Sequence, residues 1–351
     1  MNPFRPHLSD IEDVIHGGAA QLAAAGLDVD PLTDFSATTL PGGPPAPVRE
    51  ALARVPLERY PDPHASALRA ALARHHALRP GEILPANGAA ELIGAIALAA
   101  LGPGDRALVV GPTFGEYARA TRIAGAEVQE IRTSDARKVL AAIETWAPRL
   151  VFLCNPNNPT GQLWDGESLA AFAEAAFLVV DEAYAGFLDP DPGGVVAFNR
   201  LTLRSLTKDC GLAGLRLGYA IGTIEVLEPL KVLLTPWGVN SLAQAAGIAA
   251  VEAYDQIRAR VRDLFVERDR LVASLRTQGW DVDARKAPFF LVRVGEATSA
   301  ARRLLETGLV VRDASSFGLP EWIRISPQHP RDNDRLVAAM AELPRPGPAG
   351  F

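Results

Sequence analysis

Between about residues 101 and 222, short apolar runs alternate with segments of helical periodicity. This alternation predicts βαβ units arranged around a mostly parallel sheet. The runs at 150–153 and 177–180 are apolar at every position, as expected for strands that helices cover on both faces. Ligands of such sheets bind beyond the carboxyl ends of the strands, so polar residues that follow the runs are the first candidates for a site. The predicted strands are 106–111, 127–131, 150–155, 177–181, 201–205 and 217–222.

The flanking segments predict a second, smaller domain. The proline-rich segment 41–47 cannot form regular helix or central strand, because its prolines fix φ and lack a donor. Residues 241–276 carry a helical apolar period that predicts one long helix, and a strand is predicted at 289–294. We expect an N-terminal arm with part of the small domain at 1–45, a large domain at 46–245 and a C-terminal small domain at 246–351.

Composition narrows the class of protein. The 351 residues are 48% hydrophobic and carry a formal net charge of −6, so the chain can bury a large core and lacks the basic patch that nucleic acid binding requires. No apolar run reaches the roughly 18 residues that span a bilayer, and the N-terminus does not resemble a secretory signal. Cys154 and Cys210 fit neither a disulfide framework nor a zinc site. We expect a soluble cytoplasmic protein with reduced thiols and no metal, nucleic acid or membrane partner.

Polar residues follow two of the predicted buried strands. The segment 155–161 reads Asn-Pro-Asn-Asn-Pro-Thr-Gly, and the strand at 177–181 ends in Asp181. An ordinary turn explains the first segment equally well, and an aspartate at a strand end is common. A carboxylate buried there requires a cationic partner, so the two features together favour a binding site.

A lysine follows the predicted strand at 201–205. Most lysines are solvated surface charges, which is the alternative for Lys208. Ser205, Thr207 and Arg216 change this interpretation, because together they could surround a phosphate while the lysine reaches an aldehyde. The glycines at 211–218 do not form G-x-G-x-x-G, which argues against a dinucleotide site.

Two further segments could contact a flat anionic ligand. Small residues at 87–90, including Ala89 and Ala90, begin a predicted helix whose N–H groups and dipole favour an anion. A simply capped helix is the alternative. Phe114 follows the predicted strand at 106–111 and could stack on a ring, although a core phenylalanine is the commoner case.

Taken in order, these motifs resemble the class I/II aminotransferases, which are pyridoxal-phosphate (PLP) enzymes of fold type I, and the match covers nearly the whole chain. The resemblance implies an α/β PLP-dependent transferase fold, with a mostly parallel sheet in the large PLP-binding domain and a smaller α+β domain. Lys208 would hold the cofactor as a Schiff base and then act as acid or base at the substrate Cα. Asp181 would pair with the ring nitrogen, Asn158 and Tyr184 with the phenolic oxygen, and Phe114 would stack on the ring. The implied phosphate ligands are Ala89, Ala90, Ser205, Thr207 and Arg216.

The resemblance also implies substrate ligands and a partner subunit. Arg324 aligns with the arginine that binds a substrate carboxylate in this family, and Arg312 resembles a second anion-binding arginine. A surface salt bridge is the alternative for each. Tyr60 resembles the tyrosine that reaches the cofactor phosphate of the neighbouring subunit, which implies a homodimer.

Four segments resemble the L-threonine-O-3-phosphate decarboxylases of cobalamin biosynthesis more than other members of the family, with histidinol-phosphate aminotransferases as close relatives. They are 16–18 (His-Gly-Gly), 34–37 (Asp-Phe-Ser-Ala), 205–208 (Ser-Leu-Thr-Lys) and 236–240 (Pro-Trp-Gly-Val-Asn). His16, Gly17 and Gly18 would then bind the substrate, which is predicted to be a small phosphorylated amino acid or amine. The alternative is a histidinol-phosphate-type aminotransferase that passes an amino group to 2-oxoglutarate. The segment 38–40 departs from the decarboxylase pattern, because it reads Thr-Thr-Leu where amides are usual. Substrate orientation decides between loss of CO2 and loss of the Cα proton.

Overall fold

The computed structural model describes residues 5–18, 22–23, 26, 28–30 and 32–345, which form helices and strands in two sheet-containing parts. The strands are β1 (Thr33–Asp34), β2 (Ile83–Ala86), β3 (Arg106–Gly111), β4 (Glu127–Arg132), β5 (Leu150–Cys154), β6 (Phe177–Asp181), β7 (Arg200–Ser205), β8 (Gly218–Ile221), β9 (Asp281–Asp283), β10 (Phe290–Arg293), β11 (Leu309–Val310), β12 (Arg312–Asp313) and β13 (Trp322–Ile325). The α-helices are α1 (Ala46–Ala53), α2 (Ser66–His75), α3 (Ala89–Ala100), α4 (Glu116–Ile123), α5 (Ala136–Trp146), α6 (Gly166–Ala175), α7 (Ile224–Lys231), α8 (Ser241–Glu252), α9 (Tyr254–Thr277), α10 (Ala297–Glu306) and α11 (Pro330–Ala341).

The large sheet has seven strands in the order β2-β8-β7-β6-β5-β3-β4. The strands β4, β3, β5, β6 and β7 run parallel to one another, whereas β8 pairs antiparallel with both β7 and β2. All residues of β5 are buried, and so are those of β6 after its first, because helices cover both faces. The predicted mostly parallel sheet is therefore confirmed, with β2 as an edge strand that the sequence reading missed.

The register of the parallel strands brings the predicted motifs to one edge. Cys154 at the end of β5 pairs with Asp181 at the end of β6, and β7 ends next to them at Ser205. The carboxyl ends of these strands therefore share one boundary of the sheet, where polar side chains can meet.

The smaller sheet has the order β12-β13-β10-β9 and is antiparallel, and β1 pairs in parallel with β11 beside it. Helix α9 connects the two parts, because Ile257 and Val261 pack in the core beside the large sheet while Leu271 and Leu275 pack in the core of the small one. Residue 245, where a domain boundary is predicted, falls inside α8, and the two cores meet along α9.

The single helix predicted over 241–276 is wrong. Ala253, with φ −97° and ψ 19°, separates α8 from α9. The apolar period continues through this break because both helices bury residues against the same core, so periodicity alone does not reveal it. Within the described part of the chain, no helix is both long and apolar enough to cross a membrane.

Candidate active site

A cavity opens at the carboxyl edge of β5, β6 and β7, and it gathers nearly all the residues predicted to bind the cofactor. The residues that line it are Ala89, Ala90, Phe114, Tyr117, Cys154, Asn158, Asp181, Ala183, Tyr184, Ser205, Thr207, Lys208 and Arg216. These residues come from five separate segments, which the sheet and the start of α3 bring together.

Asp181 lines the cavity and is 4% exposed. Its Oδ1 accepts a hydrogen bond from the backbone N–H of Ala183 at 2.9 Å, and its Oδ2 accepts one from the Tyr117 hydroxyl at 2.7 Å. Burial raises the pKa of Asp181, while these bonds and the charge of Lys208 oppose the rise. A carboxylate held in this way is ready to pair with a cationic group in the cavity.

Lys208 lies on the cavity wall with its ammonium 5.8 Å from the centre of the Tyr184 ring. Burial, together with the charges of Arg324 and Arg216, lowers the pKa of Lys208 from 10.5 to about 8. At pH 7 roughly one molecule in ten would then carry a neutral amine at this position. This neutral fraction is what attack on an aldehyde requires.

A group of side chains on the cavity wall forms an anion cradle. The hydroxyls of Ser205 and Thr207 lie 2.6 Å apart, and Arg216 and the first residues of α3 complete the wall. Gly218 lets the start of α3 approach β8, because a Cβ there would lie 2.6 Å from the backbone nitrogen of Ala89. Hydroxyls, a guanidinium and a helix N-terminus are a suitable ligand set for phosphate.

The remaining predicted cofactor ligands also line the cavity. Burial raises the pKa of Tyr184 to about 12, so its phenol stays protonated and can donate a hydrogen bond. Asn158 uses its Oδ1 to accept a hydrogen bond from Arg324. Phe114 is on the cavity wall, and its ring meets that of Tyr117 edge-on at 5.7 Å.

The two predicted substrate arginines lie side by side on the small sheet. Arg312 on β12 and Arg324 on β13 are direct antiparallel partners, so both side chains project from the same face. Arg324 is 6% exposed and donates to the backbone oxygen of Ser36 at 2.5 Å, and its Nε has no hydrogen-bond partner among the described residues. Neither arginine is on the cavity wall itself, although Arg324 reaches it through Asn158.

The N-terminal arm covers Arg312. The Arg312 guanidinium donates a hydrogen bond to the backbone oxygen of Ile15 at 2.5 Å. Gly17, whose φ is +71°, lies so close to Arg312 that a Cβ at this position would be 2.3 Å from an Arg312 nitrogen. His16 lies 3.1 Å from the Glu116 carboxylate, with its ring 5.8 Å from that of Phe114. Gly18 lies over Ser36. The structure thus brings His16, Gly17 and Gly18 to the rim of the site, and their role in substrate binding stays a prediction.

The segment from Ser36 to Leu40 connects the lysine to the small sheet. Leu40 donates its backbone N–H to the carbonyl of Lys208 at 2.9 Å, and the Thr38 hydroxyl lies 2.6 Å from that of Ser326, just after β13. The Ser36 carbonyl accepts from Arg324, as described above. This strap (residues 36–40) therefore touches both Lys208 and Arg324.

Tyr60 is not brought to the cavity of its own chain. It is 85% exposed, and its ring lies 5.3 Å from that of Trp237 on the outer surface. This position is compatible with a contact to a neighbouring subunit, so the role of Tyr60 remains a prediction.

A buried ionic cluster surrounds Arg204, four residues before Lys208, and no sequence motif predicted it. Arg204 on β7 lies 3.1 Å from a Glu182 carboxylate oxygen and 2.6 Å from one of Asp191, which also accepts from the Tyr254 hydroxyl at 2.8 Å. Asp209 is buried beside this cluster, and its Oδ1 has no partner within the described part of the chain. Burial raises the pKa of Asp209 to about 6.

Tyr117 is a second residue to which sequence reasoning gave no role. Only its position three residues after Phe114, at the start of α4, could have drawn attention to it. Its contact with Asp181 depends on how α4 lies against β6, which local sequence does not specify.

Comparison with known proteins places the chain in a family. The family model for aminotransferases of class I and II matches residues 30–340. A histidinol-phosphate aminotransferase from Caldanaerobacter subterraneus subsp. tengcongensis is 36% identical over 298 residues, covering 81% of this chain and 84% of the relative. The crystal structure of histidinol-phosphate aminotransferase from Sinorhizobium meliloti in complex with pyridoxal-5'-phosphate has a TM-score of 0.86 at 25% identity, over 97% of both chains. L-threonine-O-3-phosphate decarboxylase from Porphyromonas gingivalis has a TM-score of 0.77 at 27% identity, over 88% of this chain and 98% of that one.

The chain therefore belongs to the class I and II aminotransferase family and has the fold of the type I PLP enzymes. The family and fold predicted from the sequence are confirmed, and so is PLP as the cofactor of this enzyme. The cavity fits that cofactor, because its wall combines the anion cradle, the Asp181 carboxylate and Lys208.

Proposed function

We propose that this chain is an aminotransferase that moves the amino group of a phosphorylated amine, of the histidinol-phosphate type, to 2-oxoglutarate. The observation that carries this proposal is the buried cross-strand pair of Arg312 and Arg324 on the small sheet, which reaches the cavity through the bond between Arg324 and Asn158. Like charges directly opposite on two strands are destabilising unless an anion lies between or beside them. Histidinol phosphate offers a phosphate to such a pair, and 2-oxoglutarate offers two carboxylates.

The residues on the cavity wall would divide the work. When bound, PLP supplies an electron sink for the electrons released at the substrate Cα. Asp181 would hold a proton on the ring nitrogen through a charged hydrogen bond, and Tyr184 and Asn158 would orient the phenolic side. Lys208 would bind the cofactor covalently and carry the Cα proton, since burial leaves part of its amine neutral at pH 7. Arg216 would bind the phosphate.

The relatives support this choice over the decarboxylase interpretation. The 36% identical relative over most of both chains is a histidinol-phosphate aminotransferase, whereas threonine-phosphate decarboxylase occurs as a structural neighbour at 27% identity. The strap residue Thr38 agrees with this, because its hydroxyl bonds to Ser326 and the amides typical of the decarboxylases are not present in segment 38–40.

A direct assay tests the proposal. The PLP-loaded protein is incubated with histidinol phosphate and 2-oxoglutarate, and we expect glutamate to form, with no turnover when the keto acid is left out. Lys208→Ala should abolish both the turnover and the visible absorbance of the bound cofactor. Absence of glutamate with histidinol phosphate, while another amine gives it, would refute the assignment of substrate.

Decarboxylation of L-threonine-O-3-phosphate is the second candidate. It is favoured by the arm residues His16 and Gly17, which lie against Phe114 and Arg312 at the rim of the site. Release of CO2 without any keto acid, at a rate above that of amino transfer, would identify this reaction. The same incubation can record CO2 and glutamate in parallel, so one experiment separates the two candidates.

The active unit is proposed to be a homodimer. Leu57, Tyr60 and Trp237 are 75%, 85% and 49% exposed and form an apolar patch on the face that carries Tyr60. Exposed patches of this kind are typical of interfaces between subunits. In such a dimer Tyr60 of one subunit would reach the cofactor phosphate of the other.

A further inference from the structure

We propose that Tyr117 is a positioning residue that holds the Asp181 carboxylate in the orientation needed to pair with the cofactor ring nitrogen. The inference rests on the proposed role of Asp181 and adds a second residue behind it. Tyr117 is not expected to react or to touch the substrate, so its effect must pass through Asp181.

Packing fixes the Tyr117 ring. The side chain is fully buried, stacks on Phe152 at 5.3 Å with an interplanar angle of 9°, and meets the edge of Phe114 at 5.7 Å. The Thr121 hydroxyl donates to the Tyr117 carbonyl at 2.9 Å and ties the first turn of α4. A tyrosine held by rings on two sides can direct its hydroxyl in one direction only, and here that direction is toward Asp181.

The two hydrogen bonds of Asp181 leave a defined part of the carboxylate free. One oxygen accepts from Tyr117 and the other from the backbone of Ala183, so the carboxylate cannot rotate without losing a bond. An ionised carboxylate has about four acceptor positions, and two are occupied. The remaining lone pairs are available on the side that lines the cavity.

Tyr117 can act only as a donor in this bond. Burial and the neighbouring Asp181 charge raise the pKa of Tyr117 far above its ordinary value, so the hydroxyl keeps its proton at any working pH. Its bond opposes the rise in the pKa of Asp181 that burial causes. Without the hydroxyl, Asp181 would protonate more readily and would lose the charge that a protonated ring nitrogen needs as a partner.

Tyr117→Phe tests the proposal, because it removes the hydroxyl and keeps the ring. A hydrogen bond to a charged group is worth enough to change affinity by about tenfold or more, so we expect the dissociation constant for PLP to rise at least tenfold. A weaker Asp181 pair also leaves less positive charge on the ring nitrogen. The nitrogen that links Lys208 to the cofactor would then keep its proton to higher pH, so the midpoint of the visible pH titration should move upward.

Tyr254→Phe is a matched control. Tyr254 donates to an Asp191 oxygen at 2.8 Å, a bond of nearly the same length and chemistry, but it does not line the cofactor cavity. Both variants should lower the unfolding temperature, and only Tyr117→Phe should change PLP affinity and the visible titration. An unchanged affinity and midpoint in Tyr117→Phe, within twofold of the wild type, would overturn the inference.

Asp181→Asn separates this inference from the proposed role of Asp181. If Tyr117 acts through Asp181, adding Tyr117→Phe to Asp181→Asn should cause little further loss. If Tyr117→Phe lowers PLP affinity equally in the wild type and in Asp181→Asn, Tyr117 acts independently of Asp181, which contradicts the proposal. If Asp181→Asn itself changes neither affinity nor spectrum, the role of Asp181 is wrong and the inference falls with it.

Discussion

Arg324 acts on Lys208 through its charge. After burial, the Arg324 guanidinium is the strongest influence that lowers the pKa of Lys208 to about 8. The same arginine donates hydrogen bonds to Asn158 and to the Ser36 carbonyl, so one side chain contacts the cavity wall and the strap and also affects the lysine. The pKa of Lys208 therefore depends on a residue of the small sheet that does not line the cavity.

We predict that Arg324→Gln raises the pKa of Lys208 above 8, because a neutral side chain no longer repels the ammonium. The measurement is the rate at which the apoprotein captures PLP as a function of pH, since only the neutral amine attacks the aldehyde. Arg312→Gln is the control, because Arg312 is the neighbour of Arg324 but does not act on Lys208. Equal midpoints for Arg324→Gln and the wild type would contradict the prediction.

Asp209 gives a second prediction at this scale. Its folded-state pKa is raised from 3.8 to about 6, so its contribution to stability is present below pH 3.8 and is lost as the pH rises through 6. Asp209→Asn removes this titration. The variant should be more stable than the wild type by up to about 3 kcal/mol at pH 7.5 and by about half as much at pH 5.

Urea unfolding of the wild type and of Asp209→Asn at pH 7.5 and at pH 5 measures this difference in the free energy of unfolding. Asp191→Asn serves as the opposite case, because Arg204 lies beside Asp191 and the pKa of that carboxyl is lowered. That variant should lose stability at pH 7.5. A loss of stability in Asp209→Asn at pH 7.5 would show that the buried carboxylate has a partner.

At the scale of elements, the site depends on where α3 begins relative to β8. The close approach at Gly218 sets the position of the helix N-terminus, and with it the N–H groups of Ala89 and Ala90 that line the anion cradle. Small shifts of a helix end are sufficient to weaken phosphate binding, because the hydrogen bonds there are directional.

Gly218→Ala should therefore weaken PLP binding by tenfold or more and destabilise the fold by about 1–3 kcal/mol, because the added methyl group meets backbone atoms of α3. Gly94→Ala is the matched control in the same helix. A Cβ on Gly94 has nothing within 4 Å, so this variant should keep the affinity and gain up to about 1 kcal/mol. Affinity is measured by fluorescence titration with PLP, and an unaffected Gly218→Ala would show that the position of α3 is not critical.

At this same scale, the local sequence predicts some residues of the site and not others. Asp181, Ser205 and Lys208 were predictable because each lies at or just after the end of a strand that the local sequence predicts. Parallel pairing then brought them together without any further information. The break at Ala253 was not predictable, since both helices bury their apolar faces in one core. The contact of Tyr117 with Asp181 and that of Gly17 with Arg312 were not predictable either, because each joins segments that are far apart in the sequence.

For the whole molecule, the exposed patch around Tyr60 predicts assembly. Leu57→Glu combined with Trp237→Glu should convert the proposed dimer to a monomer, because two charges on the apolar patch would have to be desolvated. The monomer should also bind PLP more weakly, since Tyr60 of the second subunit would be lost from the phosphate. Light scattering and PLP titration measure the two effects.

Val266→Glu is the control for assembly. Val266 is 68% exposed on α9, away from the Tyr60 patch, and its substitution should leave the molecular mass and the PLP affinity unchanged. A wild-type protein that is monomeric at micromolar concentration would rule out the dimer and leave the role of Tyr60 without support.

The strap at residues 36–40 has a consequence for how this enzyme could change its reaction during laboratory evolution. It bonds to the Lys208 carbonyl at one end and to the Arg324 side chain at the other. A substitution in the strap would shift Lys208, the proposed proton carrier, relative to Arg324, the proposed substrate ligand, without changing either side chain. Libraries directed at Thr38 and Thr39 are therefore expected to yield variants with altered ratios of amino transfer to decarboxylation more often than libraries directed at the cavity wall.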